Sequence, residues 1–187
     1  MSALEISALV QPPQGRCDAL SLIDPASATD WPQDATVAWR QAPVGRIHSI
    51  NTPNNPLPTV FSTFPAGPEA ASLARNFIKQ TLGTWCTNLQ SDTVESARLL
   101  VSEMVTNSVV HSGASRICVL VARGNDSLHI EVLDDGFMET TAPESPAALM
   151  DERGRGLLIV SALSTQWGGP GDSDGGKRVW ADLSLLP

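Results

Sequence analysis

A glutamate, an asparagine and a histidine follow one another at four-residue intervals in the middle of this 187-residue chain. Glu103, Asn107 and His111 would share one face of a helix, because side chains at positions i, i+4 and i+8 lie along the same side. Asn107 offers an amide oxygen that suits Mg²⁺, and Glu103 can orient or deprotonate a hydroxyl or water near that metal. The apolar residues around them, from Leu99 to Val110, predict a buried helix.

Two glycine-containing segments farther along the chain offer complementary chemistry. Asp134-Asp135-Gly136 ends a predicted strand, where a carboxylate can accept a hydrogen bond from an exocyclic amine and Gly136 lets a flat ring approach closely. Gly154-Arg155-Gly156 precedes an apolar helix, whose free N–H groups and positive dipole end suit a phosphate chain. Arg153 and Arg155 would add charge there. Each motif alone is more often a plain turn or a solvated helix face, but their order and spacing together indicate a magnesium nucleotide site.

Composition and charge restrict the classes of partner. The chain has 12 Lys and Arg against 20 Asp and Glu, and it lacks the basic cluster that nucleic-acid binding requires. Cys17, Cys86 and Cys118 are far apart and without CxxC spacing, so reduced thiols are expected rather than disulfides or a zinc site. The N-terminus does not read as a secretory signal, and no apolar run approaches the roughly 20 residues that span a bilayer. We therefore predict a cytoplasmic protein without a membrane segment.

Prolines are concentrated in the first third of the chain, and the segment 51–58 reads as a linker. We predict a Pro-rich N-terminal extension over residues 1–57, with candidate strands at 19–23 and 35–39, and a folded domain over residues 58–187. The simpler interpretation of the extension is a partly ordered segment without activity. One hypothesis is that it covers the sheet or a partner surface.

The second part alternates between strand and helix patterns. Gly83 is expected to end the first helix, and Ser91 or Asp92 to begin the second. Strands in one layer and helices in the other predict an α+β two-layer sandwich. The predicted elements are a strand at 60–64, helices at 69–82 and 91–111, a hairpin of 115–122 with 127–133, a helix at 156–163 and a closing strand at 178–186.

Together these motifs resemble the nucleotide-binding domain shared by histidine kinases, gyrase-type ATPases, large chaperone ATPases and mismatch-repair ATPases. Glu103 and Asn107 match its N box, Asp134-Asp135-Gly136 its first glycine box and Gly154-Arg155-Gly156 its second. Within that group the chain looks like the small anti-sigma factor serine-protein kinases, and the resemblance covers residues from about 60 to 187. The matching segments are SEMVTNSVVHSG, GRGLLIV and GKRVWADL.

The resemblance implies a fold and a set of residue roles. The fold is a mixed, mostly antiparallel sheet with helices on one face. Glu103 would be the general base and Asn107 the Mg²⁺ ligand, while Asp134 would bind the adenine amino group beside Gly136. The glycines of the second box would contact the phosphates of ATP, as part of a lid over residues 137–153. Met138 stands where this family usually has a second glycine, and Lys177 and Arg178 stand where small or hydroxyl residues are frequent.

The activity that the resemblance implies is transfer of the ATP γ-phosphoryl group to a Ser or Thr of a partner protein. The partners would be a sigma factor and a small antagonist of the anti-sigma factor, and such proteins are commonly dimers. The alternative is a nucleotide-binding module that sequesters a partner without kinase turnover. A fragment of a histidine kinase is disfavoured because His48, the candidate phosphoacceptor, lies in a proline-rich context. Gyrase-type and chaperone-type ATPases are disfavoured because few residues follow the last predicted strand.

Overall fold

A computed structural model describes the residues 39–52, 55–85, 91–136, 155–173 and 176–186. Its elements are β1 (Ile47–Thr52), β2 (Asn55–Pro65), α1 (Ala70–Trp85), α2 (Ser91–His111), β3 (Arg116–Arg123), β4 (Ser127–Asp134), α3 (Arg155–Leu163), β5 (Gln166–Ser173) and β6 (Gly176–Ser184). The strands form one six-stranded sheet in the order β1-β2-β3-β4-β6-β5. All pairings between these strands are antiparallel rather than mixed. The predicted α+β sandwich is confirmed.

The main hydrophobic core lies between the sheet and the helices α1 and α2. In α2 the buried residues recur at three- and four-residue intervals, which places them on one face against the sheet: Ala97, Leu100, Val101, Met104, Val105 and Ser108. Leu99 and Val110 are exposed because they lie off this stripe, although the apolar sequence around them predicted burial. No helix in the described part of the chain is both long and apolar enough to cross a membrane.

The opposite face of the sheet is covered by residues 39–46, which we call the N-terminal strap. The Nη1 atom of Arg116 in β3 holds the strap by donating to the main-chain oxygens of Arg40, at 2.7 Å, and Ala42, at 3.3 Å. Between the strap and the sheet lies a second cluster of buried residues, to which both contribute: Trp39, Ala42, Ile50, Phe61, Cys118, Leu120 and Leu133. Burying these side chains removes apolar area from water on a face that would otherwise be exposed.

The strap and β1 lie on the N-terminal side of the predicted domain boundary but are part of the folded structure. The division between residues 57 and 58 falls inside β2, and β1 pairs with β2 along its length. Part of the predicted extension therefore belongs to the sheet. Of the two candidate strands placed in that extension, residues 19–23 and 35–38 lie outside the described residues, and Trp39 lies in a helical turn instead.

Two further element boundaries differ from the sequence prediction. The first helix continues past Gly83 to Trp85, because the Trp85 side chain is buried and its carbonyl accepts a hydrogen bond from Arg123 Nη1 at 2.8 Å. Strand β5 was not predicted, since its Gly-Gly-Pro-Gly sequence is typical of a loop. It pairs with β6 around an irregularity near Gly169, whose φ of 122° favours glycine.

Four charged side chains form a buried ionic network on the strap side of the sheet. His129 Nδ1 lies 2.6 Å from Asp182 Oδ1, and His129 Nε2 lies 3.5 Å from Glu131 Oε2. Arg178 Nη2 donates to Glu131 Oε2 at 3.0 Å, and its Nε lies 2.7 Å from Oε1. Glu131 is only 1% exposed, so its hydrogen bonds and ion pairs with these partners replace the contacts with water that burial removes.

The network predicts that stability depends on pH. Burial disfavours the charged imidazole most strongly, but the hydrogen bonds to Asp182 and Glu131 outweigh it and raise the pKa of His129 above 6.5. Protonated His129 therefore stabilises the folded protein fully below pH 6.5, and this stabilisation is lost as the pH rises through the raised pKa of His129. A tenfold difference in proton affinity between the folded and unfolded states corresponds to about 1.4 kcal/mol. Nearby Cys118 stays a thiol, because burial and the Glu131 charge raise its pKa.

Urea unfolding of the wild type and of His129→Gln between about pH 6 and pH 9 measures this effect. The wild type should lose stability over that range, whereas His129→Gln, which has no titrating ring, should show a flatter profile. Identical slopes for the two proteins would exclude His129 as the source of the pH dependence.

Candidate functional site

The first part of the site lies where α3 begins against α2. A Cβ atom placed on Gly156 would lie 3.0 Å from Glu103 Oε2 and within 3.3 to 3.4 Å of the amide atoms of Asn107. Both side chains, spaced four residues apart on α2, therefore converge on the same point of the α3 backbone. His111, the third member of the predicted trio, is exposed at the last position of α2.

This arrangement can hold an anion together with a cation. The first N–H groups of α3 have no partner within the helix, and the helix dipole places partial positive charge at this end. Asn107 contributes an amide oxygen and Glu103 a carboxylate beside the same turn, both within reach of a ligand that lies along Gly156. Oxygen donors of this kind suit Mg²⁺, so the residues fit a metal-bound phosphate chain.

The second part of the site is the end of β4. Asp134 is fully buried, and its Oδ1 accepts a hydrogen bond from the Gly136 N–H at 3.0 Å. Its Oδ2 has no hydrogen-bond partner among the described residues. A buried carboxylate oxygen without a partner is costly, so an external donor would stabilise it. An exocyclic amine is such a donor, and this orphaned oxygen fits the amino group of adenine.

Gly136 connects this strand end to α2. A Cβ atom at this position would lie 2.1 Å from the carbonyl oxygen of Ser112, which directly follows α2, so no side chain can be accommodated. The two glycine segments thus meet the same helix at different levels, Gly156 beside Asn107 and Gly136 beside Ser112. Five residues of helix correspond to about 7.5 Å of rise. That separation suits a ligand with a flat base at one end and phosphates at the other.

Asp135 has a structural role that sequence reasoning missed. Its Oδ1 accepts hydrogen bonds from the main-chain N–H groups of Ser115 and Arg116, both at 2.8 Å, and its Oδ2 accepts from Ser115 Oγ at 2.7 Å. Burial opposes ionisation, but these hydrogen bonds outweigh it and lower the pKa of Asp135. The partners lie some 20 residues earlier in the chain, and only the β3–β4 pairing brings them together.

Several predicted site residues lie outside this geometry. Arg153, Gly154 and Met138 fall outside the described residues, and Arg155 is placed only as the first residue of α3. Of the other two residues that depart from the family pattern, Lys177 pairs with Asp134 in the register of β4 and β6. Arg178 is instead engaged in the ionic network on the other face of the sheet, so its presence has a structural explanation.

Comparison with known proteins found a matching family. Residues 64–181 match the family described as the histidine kinase-like ATPase domain, and this match spans more than half of the chain. It begins within β2 and ends in β6, and therefore includes Glu103, Asn107, Asp134, Gly136 and Gly156. No curated protein matches the chain.

Proposed function

Because this chain belongs to the histidine kinase-like ATPase domain family, whose members bind ATP, we propose that it is a regulatory protein that binds Mg-ATP and phosphorylates a partner protein on Ser or Thr. The observation that carries the proposal is the convergence of Glu103 and Asn107 on the first turn of α3 at Gly156. A base, a metal ligand and a phosphate-binding helix end are the parts that phosphoryl transfer requires.

Each site residue has a defined task in this proposal. Asp134 binds the adenine amino group through its unpaired Oδ2, and Gly136 keeps the strand end close to α2. Asn107 holds Mg²⁺, which when bound neutralises phosphate charge. Glu103 accepts the proton of the attacking hydroxyl while the oxygen forms its bond to the γ-phosphorus and the bond to ADP breaks. Arg153, Gly154 and Arg155 are proposed to contact the phosphates.

The proposed partners come from the resemblance of the motifs to the anti-sigma factor kinases. They are a sigma factor, which the protein would bind, and a small antagonist protein, which it would phosphorylate. A homodimer is proposed on the same basis. The alternative function, sequestration of a partner without kinase turnover, uses the same nucleotide site and differs only in the task of Glu103.

A thermal-unfolding titration with Mg-ATP tests the nucleotide site. Ligand at about 100 times its dissociation constant should stabilise the wild type by roughly 2.7 kcal/mol. This stabilisation should require magnesium and be lost in Asn107→Ala, because the metal ligand is missing. Glu103→Gln should retain it, because the glutamine keeps the shape of the side chain, yet transfer no phosphate from labelled ATP to the antagonist.

Two controls make the result specific. Asn76→Ala and Glu95→Gln alter exposed residues on α1 and α2 and should respond to Mg-ATP as the wild type does. If neither the wild type nor the controls respond to Mg-ATP, the nucleotide site is excluded. If Glu103→Gln regulates a sigma factor normally and the wild type transfers no phosphate, the protein is a binding module rather than a kinase.

A further inference from the structure

Asp135 fastens the turn that carries Asp134 to the loop between α2 and β3. Besides the three hydrogen bonds to its carboxylate, its own N–H donates to the carbonyl of Arg116 at 3.3 Å. Four hydrogen bonds thus tie one residue to the pair Ser115 and Arg116. This is more than a plain turn after a strand requires, since an exposed turn can be hydrated by water instead.

The loop to which Asp135 is tied is itself fixed. Ser112 Oγ donates to the carbonyl of Ser108 at 2.6 Å and accepts from the Ala114 N–H at 3.2 Å, which anchors the loop to the last turn of α2. Gly113 has a φ of 61°, which allows the chain to reverse there. The carbonyl of Ser112 is also the surface against which Gly136 packs. Asp135 is therefore fastened to a rigid support on the α2 side.

Asp134 is the last residue of β4 and the first residue of this fastened turn. Its Oδ1 is occupied by the Gly136 N–H, and its Oδ2 has no partner among the described residues. The position of Oδ2 depends on the backbone of residues 134–136, and Asp135 is the residue of that turn that bonds outward to the support. Loss of these bonds would free the turn to rotate, and the Asp134 carboxylate would then lose its fixed orientation.

We propose that Asp135 is a positioning residue for nucleobase selection, which holds the Asp134–Gly136 turn against Ser115 and Arg116 so that Asp134 Oδ2 stays aligned for the 6-amino group of a purine. The inference rests on the proposed ATP site. It adds that the preference for a 6-amino over a 6-oxo purine depends on a residue that does not itself contact the base. A preorganised acceptor discriminates against a ligand that lacks the donor, whereas a mobile one does not.

The test compares the dissociation constants of Mg-ATP and Mg-ITP, since inosine carries an oxo group where adenosine carries the amino group. The wild type should bind Mg-ATP at least about 10-fold more tightly than Mg-ITP. Asp135→Ala should lose most of this ratio through weaker ATP binding, with ITP binding nearly unchanged. Asp135→Asn should restore it, because an amide oxygen can accept the same two main-chain hydrogen bonds.

The ratio of the dissociation constants of Mg-ITP and Mg-ATP distinguishes a positioning role of Asp135 from a general structural role. A variant that merely weakens the fold would lose affinity for both nucleotides equally, and that result would overturn the inference, as would a wild-type ratio in Asp135→Ala. Asp126→Ala, which changes an exposed carboxylate in the β3–β4 turn, is the matched control and should keep the wild-type ratio.

Failure of the proposed function and failure of the inference give different results in the wild type. A wild type that binds neither nucleotide contradicts the nucleotide site itself, whereas a wild type that binds both equally keeps the site and overturns the inference. If Asp135→Ala does not fold, Ser115→Ala decides, because it removes only the hydroxyl hydrogen bond to Oδ2. A ratio lowered by about 3-fold supports positioning, and an unchanged ratio contradicts it.

Discussion

Asp134→Asn is expected to lose about 100-fold in affinity for Mg-ATP while the free protein unfolds at the same or a higher temperature than the wild type. The asparagine oxygen can still accept the Gly136 hydrogen bond, so the turn is kept. At the position of Oδ2, however, an amide presents a donor to the donor on adenine. In the free protein the same change removes a buried carboxylate oxygen that has no partner among the described residues, and that removal does not destabilise the fold.

Calorimetric titration and thermal unfolding of the same samples check both halves of this expectation. Asp126→Asn makes the same chemical change in an exposed turn and should leave both quantities at their wild-type values. Tight ATP binding by Asp134→Asn would show that Asp134 does not contact the base. A large loss of stability in the free variant would show that the carboxylate has a structural task instead.

A protein that begins at residue 58 is expected to have a free energy of unfolding about 3 to 6 kcal/mol lower than a protein that begins at residue 39. The loss of two large buried side chains alone accounts for this difference. These are Trp39 and Ile50 of the second cluster. The shorter protein also lacks β1 and begins inside β2, which becomes an unprotected edge. Since native domains are stable by about 5 to 15 kcal/mol, the shorter protein should be close to unfolding or should aggregate.

Urea denaturation of the two truncated proteins, with light scattering for aggregation, measures the difference. The comparison isolates residues 39–57, because both proteins lack residues 1–38. Equal midpoints and equal solubility would show that the strap and β1 contribute nothing to the domain.

The elements that sequence patterns predicted are those with strong local signals. The hairpin of β3 and β4 has two runs rich in β-branched and other apolar residues around a polar turn, and α2 has a buried stripe with a glycine after its end. The strands that were missed lie at the two edges of the sheet. In β5 the glycines and the proline mask the strand, and β1 lies next to a segment that reads as a linker. Their pairing partners decide their structure, and a local sequence pattern does not reveal those partners.

In the candidate site, too, the features with a local sequence pattern were predicted and those that depend on tertiary contacts were not. The spacing of Glu103 and Asn107 predicted that they share a helix face, and the structure brings both to Gly156. The importance of Asp135 was not visible, because its partners Ser115 and Arg116 are brought to it only by strand pairing. Helix periodicity therefore locates side chains on one element, whereas contacts between elements require the tertiary structure.

The burial of Cys118 beneath the strap gives this protein a chemical reporter of its own local opening. The thiol is 1% exposed and belongs to the same cluster as Trp39 and Ala42, so a water-soluble thiol reagent should reach it only when the strap separates from the sheet. The labelling rate then reports the equilibrium between closed and open forms, at conditions where the rest of the domain stays folded. With Cys17 and Cys86 replaced by serine, that single thiol would measure how firmly the strap is attached.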